Sequence, residues 1–261
     1  MCCRGIMESH GIEDVAWAIE DIGGRQTLED DYDLVIGLSR GSPSVLAAVF
    51  DGHGGPEVAR LAAARFPVLF RNSLNSGVVA DEAIRAAFMQ IDKESLAYES
   101  GAVAVACWLK GGEVVFANAG DAELLLISKG SHVPLTEMHR LSNSLERARI
   151  LRAGGGISGS YVTLPDGSGL ECTRAIGDWK FRRVGIIADP RVGLAPLGQE
   201  DLWLVAACDG LWDVMDHAEV ADVARRGRTP RAVAEALHHE AVEERDTPDN
   251  LTVIAMRVDF R

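Results

Sequence analysis

The chain has 261 residues, enough for one large domain, and 47% of them are hydrophobic, which is ample for a substantial core. Its 26 Lys+Arg stand against 39 Asp+Glu, a net charge of −13, so the surface repels polyanions and argues against nucleic acid or an anionic membrane as a partner. Five cysteines without a Cys-x-x-Cys pair support neither a disulfide framework nor a zinc site.

Reduced thiols fit a cytoplasmic or nuclear compartment. No run approaches the length of a membrane span, and the first twenty residues lack the apolar stretch of a secretory signal. Residues 1–14 read as a loose tail, and no glycine follows Met1, so the myristoylation pattern fails. Without a Pro- or Ser-rich linker or an internal repeat, 15–261 reads as a single domain, with a monomer as the default expectation.

Patterned structure begins at Val15-Ala16-Trp17-Ala18-Ile19. Short apolar runs between turn residues predict strands at 33–38 and 45–50. Pro56 marks the first turn of a helix over 56–74, where Val58, Leu61, Ala62, Phe66 and Leu69 recur at helical spacing and Pro67 is a candidate kink. A second helix is predicted over 80–97, carrying Ile84, Ala87, Phe88, Ile91 and Leu96. Strands follow at 102–109, 112–118 and 122–128, with Lys110-Gly111-Gly112-Glu113 as a hairpin turn and Asp121 in the next one, an expected antiparallel meander. A helix at 142–153, a strand at 202–208, helices at 217–226 and 230–244 and a strand at 250–258 complete the chain. Tight turns between strands and helices in blocks predict an α+β fold, a four-layer αββα sandwich of two packed antiparallel sheets flanked by helices.

Five acidic motifs carry the functional signal: Arg25-Gln26-Thr27-Leu28-Glu29-Asp30, Asp51-Gly52-His53-Gly54-Gly55, Asn118-Ala119-Gly120-Asp121, Cys208-Asp209-Gly210 and Asp249-Asn250. Asp51 and Asp209 end apolar runs, where an uncompensated carboxylate costs several kcal/mol or more. A cluster of hard divalent cations is the economical source of compensation. These residues therefore predict a metal-dependent hydrolytic site.

With Arg174-Ala175-Ile176-Gly177-Asp178 and Cys208-Asp209-Gly210-Leu211-Trp212-Asp213-Val214 added, the ordered series from Gly23 to Val258 resembles the metal-dependent protein serine/threonine phosphatases of type 2C. The resemblance implies a flanked β-sandwich and a phosphoric monoester hydrolase acting on phosphorylated proteins. It implies two Mg²⁺ or Mn²⁺ ions, with Asp51 bridging them, Asp209 and Asp249 on the first, and the Gly52 carbonyl and Glu29, through water, on the second. Asp121 with Asp209 would hold a third, weaker ion. Gly52 and Gly54 would let the backbone turn so that a carbonyl faces the metal. A water between ions about 3.5–4 Å apart becomes hydroxide near neutral pH and attacks phosphorus in line. Arg25 would grip the phosphate with its guanidinium fork, and His53 would protonate the leaving alkoxide.

The chain also departs from the family pattern, at Ser100-Gly101-Ala102-Val103-Ala104, Gly120-Asp121-Ala122-Glu123 and Met138-His139-Arg140-Leu141. These departures motivate an alternative reading as a catalytically silent scaffold or regulatory binding protein of the same fold. A nucleotide phosphodiesterase is a third reading, but no base-recognition signal supports it. Asp178 reads as structural, His238-His239-Glu240 as a solvated helix face, and Lys180, Arg182 and Arg183 as surface charge or substrate-docking cations.

Overall fold

The computed structural model describes residues 7–12, 14–38 and 44–258. In chain order, strands β1 (Met7–Ile12), β2 (Ala16–Asp21), β3 (Asp31–Ile36) and β4 (Ser44–His53) lead into helices α1 (Glu57–Asn75) and α2 (Ala80–Glu94). Strands β5 (Gly101–Lys110), β6 (Glu113–Ala119), β7 (Glu123–Ser128) and β8 (His132–Pro134) precede helix α3 (Ser144–Arg152). Three short strands, β9 (Gly156–Ser158), β10 (Tyr161–Thr163) and β11 (Gly169–Leu170), form a small sheet of their own. Then come β12 (Ile176–Gly177), β13 (Arg191–Pro196), β14 (Asp201–Ala207), α4 (Asp209–Trp212), α5 (His217–Arg226), α6 (Pro230–His238) and β15 (Leu251–Arg257).

The first large sheet has the order β1-β2-β15-β14-β7-β8, and the second runs β13-β6-β5-β4-β3 with β12 paired to β5. Every large-sheet pairing is antiparallel. Side chains alternate between faces along each strand. On β4, Val45, Ala47 and Val49 enter the core between the sheets, while Leu46, Ala48 and Phe50 pack under α1 and α2. On β14, Leu204 and Ala206 point into the inter-sheet core, and Trp203, Val205 and Ala207 meet α5 and α6. Three apolar layers thus separate four structural ones, and the expected αββα sandwich is the observed fold.

The expected meander is corrected. β5 and β6 form the hairpin, with Lys110 opposite Glu113 and both turn glycines at positive φ (64° and 83°). β7, however, leaves that sheet and pairs with β14 and β8 in the other. Leu124 belongs to the inter-sheet core and Leu125 and Ile127 to the outer one, so β7 is apolar on both faces and takes a central position. The crossing places Asp121 between the sheets rather than in an edge turn. The loose tail expected over 1–14 is corrected too: Met7–Ile12 pairs in register with Ala16–Asp21, while 1–6 and 13 lie outside the described residues, as do Cys2 and Cys3.

The helices match their expected spans closely. The one expected over 80–97 ends as a 3₁₀ turn at Ser95–Ala97, and that over 230–244 widens into a π-helical turn at His239–Glu244. Pro67 lies inside α1 without ending it. Its neighbour Phe66 is fully buried, with ring centroids 6.0 Å from Phe50, 6.0 Å from Phe70 and 5.9 Å from Phe88, and this packing carries the helix through the proline. Among the described residues no helix is long and apolar enough to cross a membrane. Phe66→Ala is expected to lower stability by about 3–5 kcal/mol, read as a fall in the urea midpoint at unchanged slope.

Candidate active site

The strand alternation that fills the core also builds the site. Carried one step beyond Val49, the inward face of β4 presents Asp51, opposite Val103 on β5. Asp209 follows the end of β14, and Asp249 precedes β15, the neighbour of β14. All these strand ends lie at one end of the sandwich, around a cavity of about 340 Å³. Arg25, Glu29, Asp51, Gly52, His53, Asp121, Asp209 and Asp249, the eight residues singled out from the sequence, all line it.

Asp213 and Glu171 line the cavity as well, giving, among the described residues, seven carboxylates around it against Arg25 as the one Lys or Arg on the wall. Burial, then Asp30, Asp209, Asp121 and Asp249, push the Asp51 carboxyl well above its ordinary range. Burial, then Asp121, Asp213 and Asp249, push Asp209 up to about 7. Among the described residues no protein group donates a hydrogen bond to the Asp51 carboxylate. Shared, mutually repelling oxygen donors of this kind suit hard divalent ions, so the donor set fits Mg²⁺ or Mn²⁺. Among the described residues these side chains are not already gathered three together in a coordination shell; they surround the cavity.

Guanidinium groups hold two parts of the ring. Arg25 grips Asp249 with both prongs, Nε to Oδ1 at 2.7 Å and Nη2 to Oδ2 at 2.5 Å. Arg140 Nε donates to Asp121 Oδ2 at 2.7 Å, and its Nη2 donates to Asp209 Oδ2 at 3.1 Å. Burial opposes the Arg140 charge, but Asp121, Asp213 and Asp209 outweigh it and raise its pKa.

The segment 22–30 is tied to the start of β15 by Asn250. Its Nδ2 donates to the carbonyls of Ile22 (2.8 Å) and Thr27 (3.0 Å), and its Oδ1 accepts from the Glu29 amide at 2.9 Å. Buried Asp30 accepts from Thr252 Oγ1 at 2.7 Å, and burial pushes its carboxyl up to about 6 despite that bond. Glu29 reaches across to β4: its Oε2 accepts from the Gly55 amide at 3.2 Å. A Cβ at Gly52 would collide with the Glu29 carbonyl oxygen, so only glycine lets the two segments approach this closely. Gly54, at φ 70°, makes the turn expected of it.

His53 Nε2 lies 2.7 Å from Asp178 Oδ2. Burial disfavours the imidazolium, but Asp178, with Asp121 and Glu29 further off, raises the His53 pKa above its ordinary value. Asp178, read from sequence as structural, is therefore the group that holds His53.

A chain-wide comparison fits this geometry. The family model for protein phosphatase 2C matches residues 25–250. The chain belongs to the protein phosphatase 2C family. Probable protein phosphatase 2C 2 of rice is 31% identical over 90% of this chain and 69% of its own length. Probable protein phosphatase 2C 22 of Arabidopsis thaliana is 32% identical over 92% and 67%. Among solved structures, a serine-threonine phosphatase 2C from Toxoplasma gondii superposes with a TM-score of 0.81 at 21% identity, covering 97% of this chain and 99% of that one. Dependence on Mg²⁺ or Mn²⁺ goes with membership of the 2C family.

The departures from the 2C pattern find physical roles. Val103 and Ala122 are buried in the inter-sheet core. Glu123 pairs with His217 at 2.9 Å, and Met138 packs against the outer core of the first sheet. Burial pushes the buried His139 down to about 4, leaving it neutral, and its Nδ1 accepts from the Gly120 amide at 3.2 Å. Two surface readings are corrected. His238 is mostly buried and pairs with Asp21 at 2.9 Å, and Arg182 is held by Asp92 and by the carbonyl of Ile186 at 3.1 Å. Cys107, Cys172 and Cys208 are buried and reduced, with thiol pKa values pushed up by burial, so none is poised as a nucleophile.

Sequence reasoning missed the clamp role of Asn250, the partnership of Asp178, the grip of Arg140, and the Tyr161, Leu170 and Glu171 side of the cavity. Asp178 and Asn250 both sat in motifs already picked out, whereas the short strands β9–β11 give no periodic signal. Asn250→Ala is expected to cost roughly 1–3 kcal/mol, by leaving buried backbone groups unpaired, and to speed hydrogen exchange across 22–30 more than elsewhere.

Proposed function

We propose that this protein hydrolyses phosphoserine and phosphothreonine in phosphorylated proteins, using two divalent ions, Mg²⁺ or Mn²⁺, held at the end of the sandwich. The reading is carried by Asp51: a carboxylate without a protein donor, close to buried Asp30 and sharing one cavity with Asp121, Asp209 and Asp249. Asp51, Asp209, Asp249, Glu29 and the Gly52 carbonyl would hold the ions. When bound, these supply an activated water for in-line attack and offset charge on the phosphate oxygens. Family membership favours an active enzyme over a silent scaffold.

The chain's own groups do the rest. Arg25 is 58% exposed at its side chain and has Asp249 as its partner at the cavity rim. Were Asp249 to serve a cation, the guanidinium fork of Arg25 would be free to bond two phosphate oxygens. His53, whose imidazolium Asp178 favours, gives its proton to the departing seryl or threonyl oxygen. Asp178 is a positioning residue: its second task is to orient the imidazole toward that oxygen. A Cβ at Gly101 would strike both partners, so the glycine leaves room for the pair.

Incubation with a phosphothreonine peptide and Mn²⁺ is expected to release phosphate, and a chelator to stop it; release that ignores the chelator overturns the proposal. Asp51→Asn is expected to abolish turnover, and His53→Ala to lower kcat by roughly 10²–10⁴-fold. Activity through protonated His53 falls as pH rises through its pKa. Asp178→Asn removes the group that raises that pKa, so the alkaline limb of the kcat profile is expected to move to lower pH. An unmoved limb assigns the proton donor to another group.

A further inference from the structure

The acidic ring is held by two arginines that differ in kind. Arg25 is exposed and grips one carboxylate. Arg140 has a side chain only 22% exposed and serves three: Asp121, Asp209 and Asp213, the last at 3.3 Å from both Nη1 and Nη2. Asp121 itself is 6% exposed at its side chain, so this bond is shielded from water.

The backbone of Arg140 is fixed from both sides. It forms a β-bridge with Cys172. The carbonyl of the preceding His139 accepts from the Thr173 amide at 2.7 Å and the Thr173 hydroxyl at 2.9 Å, and the Arg140 carbonyl accepts from the Asn143 amide at 3.0 Å. The guanidinium is therefore delivered to a set place between the crossover that carries Asp121 and the end of β14. Releasing it would break bonds to three carboxylates at once and leave the buried Asp121 without its cation.

A planar cation in that position does part of what a metal ion does for Asp121 and Asp209, offsetting charge on two carboxylates from different segments and fixing their separation. It takes Asp209 through Oδ2 and makes no bond to Oδ1. Asp51 and the Oδ1 side of Asp209 are left for other cations, while the Asp121 corner is filled. Unlike a bound divalent ion, whose occupancy varies with pH and metal concentration, arginine stays in place and charged at every working pH.

We propose that Arg140 is a resident cation that occupies the Asp121–Asp209–Asp213 corner in place of an additional divalent ion and fixes Asp209 for the ions held by Asp51. Arg140 is a positioning residue on this account, and the inference rests on the divalent centre proposed above.

Counting bound Mn²⁺ by equilibrium dialysis tests it. The native protein is expected to bind two ions per chain, Arg140→Lys also two, and Arg140→Gln one more, as Asp121 and Asp209 come free. A native protein that binds three ions, or an Arg140→Gln protein that gains none, overturns the role of Arg140 and leaves the divalent centre standing. A native protein that binds no Mn²⁺ overturns both. Independently of any variant, a crystal of the native protein soaked in Mn²⁺ is expected to show no anomalous peak between Asp121 and Asp209, with the guanidinium in its place. A peak there, with Arg140 turned away, overturns the inference even if Arg140→Gln does not fold.

Discussion

Mutual repulsion among carboxylates at one end of the sandwich is the constraint that the rest of the structure serves. Two like charges about 4 Å apart repel by roughly 4 kcal/mol at an effective dielectric near 20, and a partly buried cavity moves that figure upward. Asp51, Asp121, Asp209 and Asp249 share such a cavity, and burial, reinforced by this repulsion, raises the pKa values of Asp51 and Asp209. A fold that gathers these groups needs positive charge among them. Arg25 and Arg140 supply part of it from within the chain, and the uncovered Asp51 marks where the remainder has to come from outside.

The scaffold meets the constraint by rigidity rather than by bulk. Strand alternation sends Asp51, the fourth inward position of β4, into the cavity after three apolar inward positions have locked the strand into the core. The crossing of the chain from β6 to β7 brings Asp121 between the two sheets, and the Asn250 amide ties the Arg25 to Glu29 segment to the start of β15. Asp51 and Asp209 thus stand on elements packed into the core, and Asp121 and Asp249 lie two residues from buried strands, so repulsion is not relieved by letting a long loop swing away.

The same contrast separates harmless departures from consequential ones. Val103, Ala122 and Met138 replace expected residues with apolar packing, and the core absorbs them. Arg140 is different, because a branched, permanently charged fork can reach three carboxylates where a shorter or more flexible cation would reach fewer.

The sequence by itself determined the layered α+β architecture, most strand and helix spans, and the identity of eight of the residues that line the cavity. Local periodicity and short motifs encode these, and the apolar runs that end in Asp51 and Asp209 announced a charge in need of a partner. It could not show that β6 and β7 belong to different sheets, since a tight turn between two apolar strands reads alike whether the chain folds back or crosses over. Nor could it tell that Asp178 holds His53 across 125 positions, that Asn250 knots together segments more than 200 positions apart, or that Arg140 sits among Asp121, Asp209 and Asp213. Those pairings are fixed by the stacking of one sheet on the other, and only tertiary packing decides which side chains of distant segments come within bonding reach.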